Sequence, residues 1–411
     1  MPRMLVLAVT IAGLCALAGS AGAYPRQSEI SRGRQLAIAA DCTACHTAEG
    51  GKPFAGGKPV ETPFGTVYGK NITFDKDTGI GTWSEDDFWH ALHDGKDDEG
   101  HHLYPAMPYN YYTRMPRRDV DAIYTYLKTL PAVHKQNKPN DLSWPFSWRW
   151  LMTFWDWLFF DKGVYQPQPQ QTAAYNHGAY LVEGPGHCGA CHTPTGFLGA
   201  PDRDEALRGN EVEHWYAPSL TEGSHQGLGS WTSQEIVHYL ANGGNDRTAA
   251  FGPMAEVVAD STSKMSDQDL HDIAVYLKSR SAPKHQESDG GKPDRGPMSA
   301  GHRIYNAQCA ACHTQGGGGQ RGQFDSLKGS GIVQADGPQS VVHVILTGVQ
   351  AVHTEHRPTA PAMPAFDWKL TDGQIADVAT YIRNAWGNRA SPVAAGNVAD
   401  MRDAIGAKAG P

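Results

Sequence analysis

Apolar residues recur at helical spacing in three stretches that share one pattern: Asp121-Ala-Ile-Tyr-Thr-Tyr-Leu-Lys128, His271-Asp-Ile-Ala-Val-Tyr-Leu-Lys278 and Ala376-Asp-Val-Ala-Thr-Tyr-Ile-Arg383. In each, the Ile or Val, the Tyr and the Leu or Ile fall on one helix face. Upstream of each lies a helix with a start signal, at Trp83-Ser84-Glu85-Asp86, Trp231-Thr232-Ser233-Gln234 and Pro338-Gln339-Ser340. Further upstream comes a shorter helical stretch holding a glycine: Gly33, Gly178 and Gly301. The pattern predicts one helical unit used three times, with glycine-rich loops inside each copy, and hence an all-α fold.

The cysteines carry the chemistry. Six of the seven lie in three copies of one pentapeptide, 146 and 121 residues apart: Cys42-Thr-Ala-Cys45-His46, Cys188-Gly-Ala-Cys191-His192 and Cys309-Ala-Ala-Cys312-His313. Cys-x-x-Cys-His is the attachment motif of c-type haem. Two thiols three residues apart on one helical turn can each add to a vinyl group of the same porphyrin. The next His then comes under the ring, where it can bind iron. A zinc half-site or a redox disulfide also uses Cys-x-x-Cys. Here every pair has its His in the same place and no pair is left over, so the sequence predicts three covalently bound haem c groups.

Haem iron in an electron carrier usually takes a second protein ligand, often Met. Met107, Met254 and Met363 lie 61, 62 and 50 residues after His46, His192 and His313, each beside a proline. A stiff, non-helical loop of this kind would present the sulfur to the iron. The plainer reading is that these Met fill core gaps. Met115 and Met265 compete for the role, and His101, His102, His353 and His356 lie in the same loops as solvated residues.

The remaining segments set the boundaries. Residues 1–23 read as a secretory signal peptide, with Arg3, an apolar run from Met4 to Ala18 and a small-residue end at Ala21-Gly22-Ala23. Export agrees with haem c attachment and predicts a periplasmic protein. The expected domains are 24–135, 172–284 and 298–390. Between them lie a Trp-rich connecting segment with a Pro/Gln spacer (136–171) and a polar linker (285–297), and a loose tail follows (391–411). Trp144 to Phe160 holds nine aromatics in seventeen residues, with Arg149, Thr153 and Asp156 as a polar stripe if helical from Trp148. It is too short and too charged to span a bilayer, and suits a membrane interface or a protein contact. Charged residues make up only 19%, the net charge is −8, and no basic block marks a nucleic-acid surface.

With these residues in view, the chain resembles the triheme cytochrome c subunits of bacterial membrane-bound dehydrogenases for alcohols, gluconate, sorbitol, fructose and aldehydes. The residues that carry the resemblance are Phe64-Gly-Thr-Val-Tyr-Gly-Lys-Asn71-Ile-Thr, the Trp-rich segment with Gly163-Val-Tyr, Gly178-Ala-Tyr-Leu-Val-Glu-Gly-Pro-Gly-His-Cys-Gly-Ala-Cys-His192, Ala217-Pro-Ser-Leu and Gly252-Pro-Met-Ala-Glu-Val-Val. The closing helices resemble the last helix of class I cytochrome c, which crosses the first helix at a Gly–aromatic contact. The resemblance implies three tandem class I cytochrome c domains. It also implies a periplasmic relay from a dehydrogenase catalytic subunit to ubiquinone, at the membrane through 144–160 or through a partner. The expected attachment residues are Cys42, Cys45, Cys188, Cys191, Cys309 and Cys312, and the expected iron ligands are His46, Met107, His192, Met254, His313 and Met363. A free soluble carrier and a haem peroxidase are the competing readings. The sequence shows no acid–base dyad or nucleophile motif of its own.

Overall fold

A computed structural model describes residues 24–223, 227–281 and 290–407. The expected signal peptide and part of the 285–297 linker lie outside the described residues. Each repeat is built from the same four helical pieces. An entry helix (Tyr24–Ala39, Ala173–Glu183, Arg295–Gln308) runs into a short helix at the cysteine motif (Cys42–His46, Gly189–His192, Ala310–His313). A middle helix follows (Glu85–Asp94, Ser233–Asn242, Gln339–Thr347), then a closing helix (Arg117–Leu127, Asp267–Lys278, Asp372–Asn384). Ser84 and Thr232 start their middle helices as reciprocal capping boxes with Asp87 and Glu235.

Entry and closing helices cross in the same way three times. A methyl group on Gly33 would overlap the carbonyl of Ala122 and the Cβ of Tyr126. On Gly178 it would meet Asp272 and Tyr276, and on Gly301 Asp377 and Tyr381. Only glycine lets the two backbones come this close. The apolar stripes then fill one core per repeat: Leu36, Phe88, Ile123 and Leu127 in the first; Leu181, Ile236, Ile273 and Leu277 in the second; Tyr305, Leu346, Ile375 and Ile382 in the third. In the third repeat the fully buried Arg383 donates to the carbonyls of Val333, Ala335, Gly337 and Ser391 at 2.9–3.1 Å. That network pins the loop before the middle helix, and burial brings the guanidinium down to about 10.

Two expectations need correction. The fold is mostly helical but not purely so, because a loop in each repeat closes on a short antiparallel pair. The pairs are Pro59–Thr62 with Gly65–Tyr68 (joined by Asp141–Leu142), Asn210–Val212 with Trp215–Ala217, and Val349–Gln350 with Ala362–Met363. The tail is not loose: Ala395–Ala404 forms a helix whose Val398 and Met401 join the third core, and Arg402 donates to Asp372 at 3.0 Å. The Pro/Gln stretch 166–170 is exposed and irregular, and the Asn176 side chain holds it at the Gln168 backbone. Tyr165 donates its N–H to Arg114 of the first repeat and its hydroxyl to Asn176 of the second.

Candidate haem attachment sites

Each cysteine motif begins where its entry helix is broken. In the first repeat Asp41 takes a left-handed conformation (φ 49°) and turns the chain into the single turn Cys42–His46. On such a turn, positions three apart share a face. All six cysteines are free; five are half-buried and Cys312 is exposed. Burial pushes the Cys42 and Cys188 thiols up to about 12, and Cys45, Cys191 and Cys309 up to about 11. A redox dithiol has the opposite setting, one that favours the thiolate.

The three motif histidines are held alike. Nδ1 of His46 lies 2.6 Å from the carbonyl of Lys70, Nδ1 of His192 lies 2.7 Å from that of Pro218, and Nδ1 of His313 lies 3.0 Å from that of Asp325. A carbonyl can only accept, so Nδ1 carries the proton and Nε2 keeps its lone pair. This is the second-sphere bond that orients a metal-binding imidazole and makes it a better donor. Burial also keeps His46 and His192 below the ordinary imidazole range, favouring the neutral ring.

The carbonyls are themselves fixed, which the sequence reading did not anticipate. The buried Asn71 holds the loop after Lys70: its amide donates to Val133 and Thr78, and its oxygen accepts from Thr73. Asn71 stands in one of the segments that carry the family resemblance, so a signal was present. Asp325 accepts from Thr248 of the second repeat at 3.3 Å, so the His313 support is tied across a domain boundary.

The methionines are placed less uniformly. Met107 packs against the first core in a turn, and Met363 packs against the third core in a two-residue strand paired with Val349. Met254 departs from the expected non-helical loop. It sits in the first turn of the helix Pro253–Asp260, in a small cluster with Ala250, Val258 and Val352 of the third repeat. Met115 is fully buried in the first core, and Met265 packs against the second. Both stand two residues before a closing helix, where the third repeat has the buried Leu370. A position that leucine fills in one repeat is an apolar packing position. His101, His353 and His356 are exposed, but His102 is not a free loop residue: its Nδ1 meets Asp156 at 2.5 Å.

Each of the first two motifs is packed by an element of the other repeat. The helix Pro253–Asp260 packs on Cys42–His46, with Lys58 and Glu256 paired at 3.2 Å. Reciprocally, Tyr111 lies against Gly189 of the second motif, and the Tyr112 and His187 rings stand 5.6 Å apart. The third repeat joins the second through Trp215 stacked on His343 at 3.9 Å and the Tyr216 N–H donated to Ser340 at 2.7 Å. Paired free thiols, a neutral imidazole with Nε2 available and a thioether in the same repeat form the donor set that haem c requires.

Comparison with known proteins agrees. The family model described as Cytochrome c matches residues 30–131, 177–281 and 298–386. The chain is 38% identical to the gluconate 2-dehydrogenase cytochrome c subunit of Pantoea cypripedii, over 97% of this chain and 94% of that protein. It is 39% identical to the cytochrome c subunit of alcohol dehydrogenase (quinone) from Gluconobacter oxydans, over 91% and 82%. It is 35% identical to the fructose dehydrogenase cytochrome subunit of Gluconobacter japonicus, over 92% and 84%.

Proposed function

The chain belongs to the cytochrome c family and carries three haem c groups, and from that premise we propose that it is the electron-transfer subunit of a membrane-bound dehydrogenase. A separate catalytic subunit oxidises an alcohol, aldehyde or sugar acid, and the electrons pass through this chain to ubiquinone at the periplasmic face of the membrane. The observation that carries the proposal is the threefold histidine geometry within a chain alike, over nearly its whole length, to cytochrome subunits of such dehydrogenases.

Bound haem c supplies one-electron chemistry at iron. The residues of the chain do the rest. Cys42 and Cys45, Cys188 and Cys191, and Cys309 and Cys312 fix the three groups covalently. His46, His192 and His313 offer Nε2 from rings locked by the carbonyls of Lys70, Pro218 and Asp325. Met107, Met254 and Met363 supply the second ligand, which raises the potential relative to a second His. The packing of the helix Pro253–Asp260 on the first motif, of Tyr111 on the second and of Trp215 on His343 keeps the three sites in one body suited to transfer between them.

The test is isolation of the chain from its native membranes in mild detergent. A catalytic subunit should copurify. Anaerobic addition of ethanol, acetaldehyde, gluconate, sorbitol or fructose should then produce the absorption bands of reduced haem c. A chain that purifies alone and is reduced by dithionite but by none of these would be a free carrier instead.

A further inference from the structure

The Trp-rich segment is built inside out. Its 3-10 turn Arg149–Leu151 and helix Met152–Phe159 direct their two charged groups into the first repeat and leave Thr153 as the one exposed polar side chain between them. Arg149 donates to the carbonyl of His102 at 3.0 Å and to Asp97 at 2.9 Å. Asp156 accepts from the Tyr109 hydroxyl at 2.6 Å and pairs with His102. Trp155 is the one buried ring, and its indole N–H donates to Leu198. With every charge of the helix spent inward, the outward face is aromatic. Trp144 is 75% exposed and Trp157 80%, and Trp148, Trp150, Phe154 and Leu158 are each about half exposed. Trp144, Trp148, Trp150 and Phe154 stand in a row with ring centres 5.8–6.1 Å apart.

We propose that this aromatic face seats on the lipid–water interface and brings the Asp97–Tyr109 loop, which carries Met107, to the membrane surface. The inference rests on the reading of a quinone as acceptor, because a quinone is dissolved in the bilayer and its donor must come to the bilayer surface. Among the described residues no helix is long and apolar enough to cross a membrane, so what they offer a membrane is a surface. Among the described residues, six of the eight exposed large apolar side chains belong to this segment. Their chemistry selects the lipid interface: four are tryptophans, whose ring is apolar and whose N–H stays wet. None of the six is charged, so attachment comes from ring burial and not from attraction to anionic headgroups. The anchor Tyr109 follows Met107 by two residues and donates its N–H to the Met107 carbonyl at 2.7 Å, so the face and that loop form one unit.

The experiment uses the exported, haem-loaded chain with phosphatidylcholine vesicles, read by co-sedimentation and tryptophan emission. The chain should sediment with the vesicles and shift its emission to the blue, with little change at high salt. A variant with Trp144→Ser, Trp150→Ser and Trp157→Ser should lose at least tenfold in partitioning while keeping three haems and an unchanged reduced spectrum. Wild-type chain left in the supernatant, or a variant that binds equally well, overturns the proposal. So does a variant that still binds vesicles but no longer copurifies with a catalytic subunit, since the face would then dock protein. Failure of the relay itself reads out separately, as haems that no dehydrogenase substrate reduces.

Discussion

The Tyr109 hydroxyl donates to the Asp156 carboxylate at 2.6 Å, joining the loop that carries Met107 to the aromatic helix 47 residues further along the chain. Tyr109 is completely buried, and burial beside that carboxylate holds its hydroxyl well above the ordinary phenol range, so it stays a donor. Asp156→Ala leaves the hydroxyl and His102 without their acceptor. The expected cost is about 2–3 kcal/mol, read by chemical denaturation. Amide exchange over residues 149–159 should quicken, while haem content holds.

The methionine assignment predicts a pattern of potentials. Met107→Ala, Met254→Ala and Met363→Ala should each keep the haem covalently attached and lower one midpoint potential, within the roughly 0.8 V span that axial ligands command. Met115→Leu and Met265→Leu should leave all three midpoints in place, because the third repeat already holds Leu370 at that position. A potential that falls in Met265→Leu and not in Met254→Ala would reassign the second site.

Gly178→Ala places a methyl group on the Asp272 carbonyl. Backbone cannot move aside as a flexible side chain can, so the entry and closing helices of the second repeat must separate. The cost should reach at least about 2–3 kcal/mol, and the variant should carry two haems per chain by pyridine haemochrome assay.

These crossings were legible in the sequence because a backbone collision admits only glycine, and the attachment motifs because thioether chemistry fixes their spacing. The cores followed from the apolar stripes. The orientation of the Trp-rich helix was not legible. A helical wheel separates Arg149 and Asp156 from the rings, but not which side faces home, since their partners Asp97, His102 and Tyr109 lie about fifty residues away. The short strand pairs escaped because loop closure, not alternation of side chains, forms them. The tail helix escaped because its packing depends on Arg402 reaching Asp372 of another element.

Asp41 gives a pH dependence. It is nearly buried, and its Oδ1 has no hydrogen-bond partner. Burial first, then Asp260 and Glu256 of the second repeat, raise it to about 7 against the opposing Lys264. The folded chain therefore holds this proton where the unfolded chain has lost it. Stability from this group declines as pH rises from about 4 to about 7 and is lowest above that. Asp41→Asn, which tolerates the left-handed backbone, should stabilise the chain by about 2 kcal/mol at pH 8 and give no gain at pH 4, by denaturant titration.

The relay is tested most directly by electron delivery to quinone. The native complex would be stripped of this chain, and anaerobic reduction of a short-chain ubiquinone by the dehydrogenase substrate would be followed before and after the haem-loaded chain is added back. Quinone reduction should stop without the chain and return with it, with reduced haem c bands appearing between substrate addition and quinol formation. Quinone reduction that continues undiminished in the absence of the chain would contradict it.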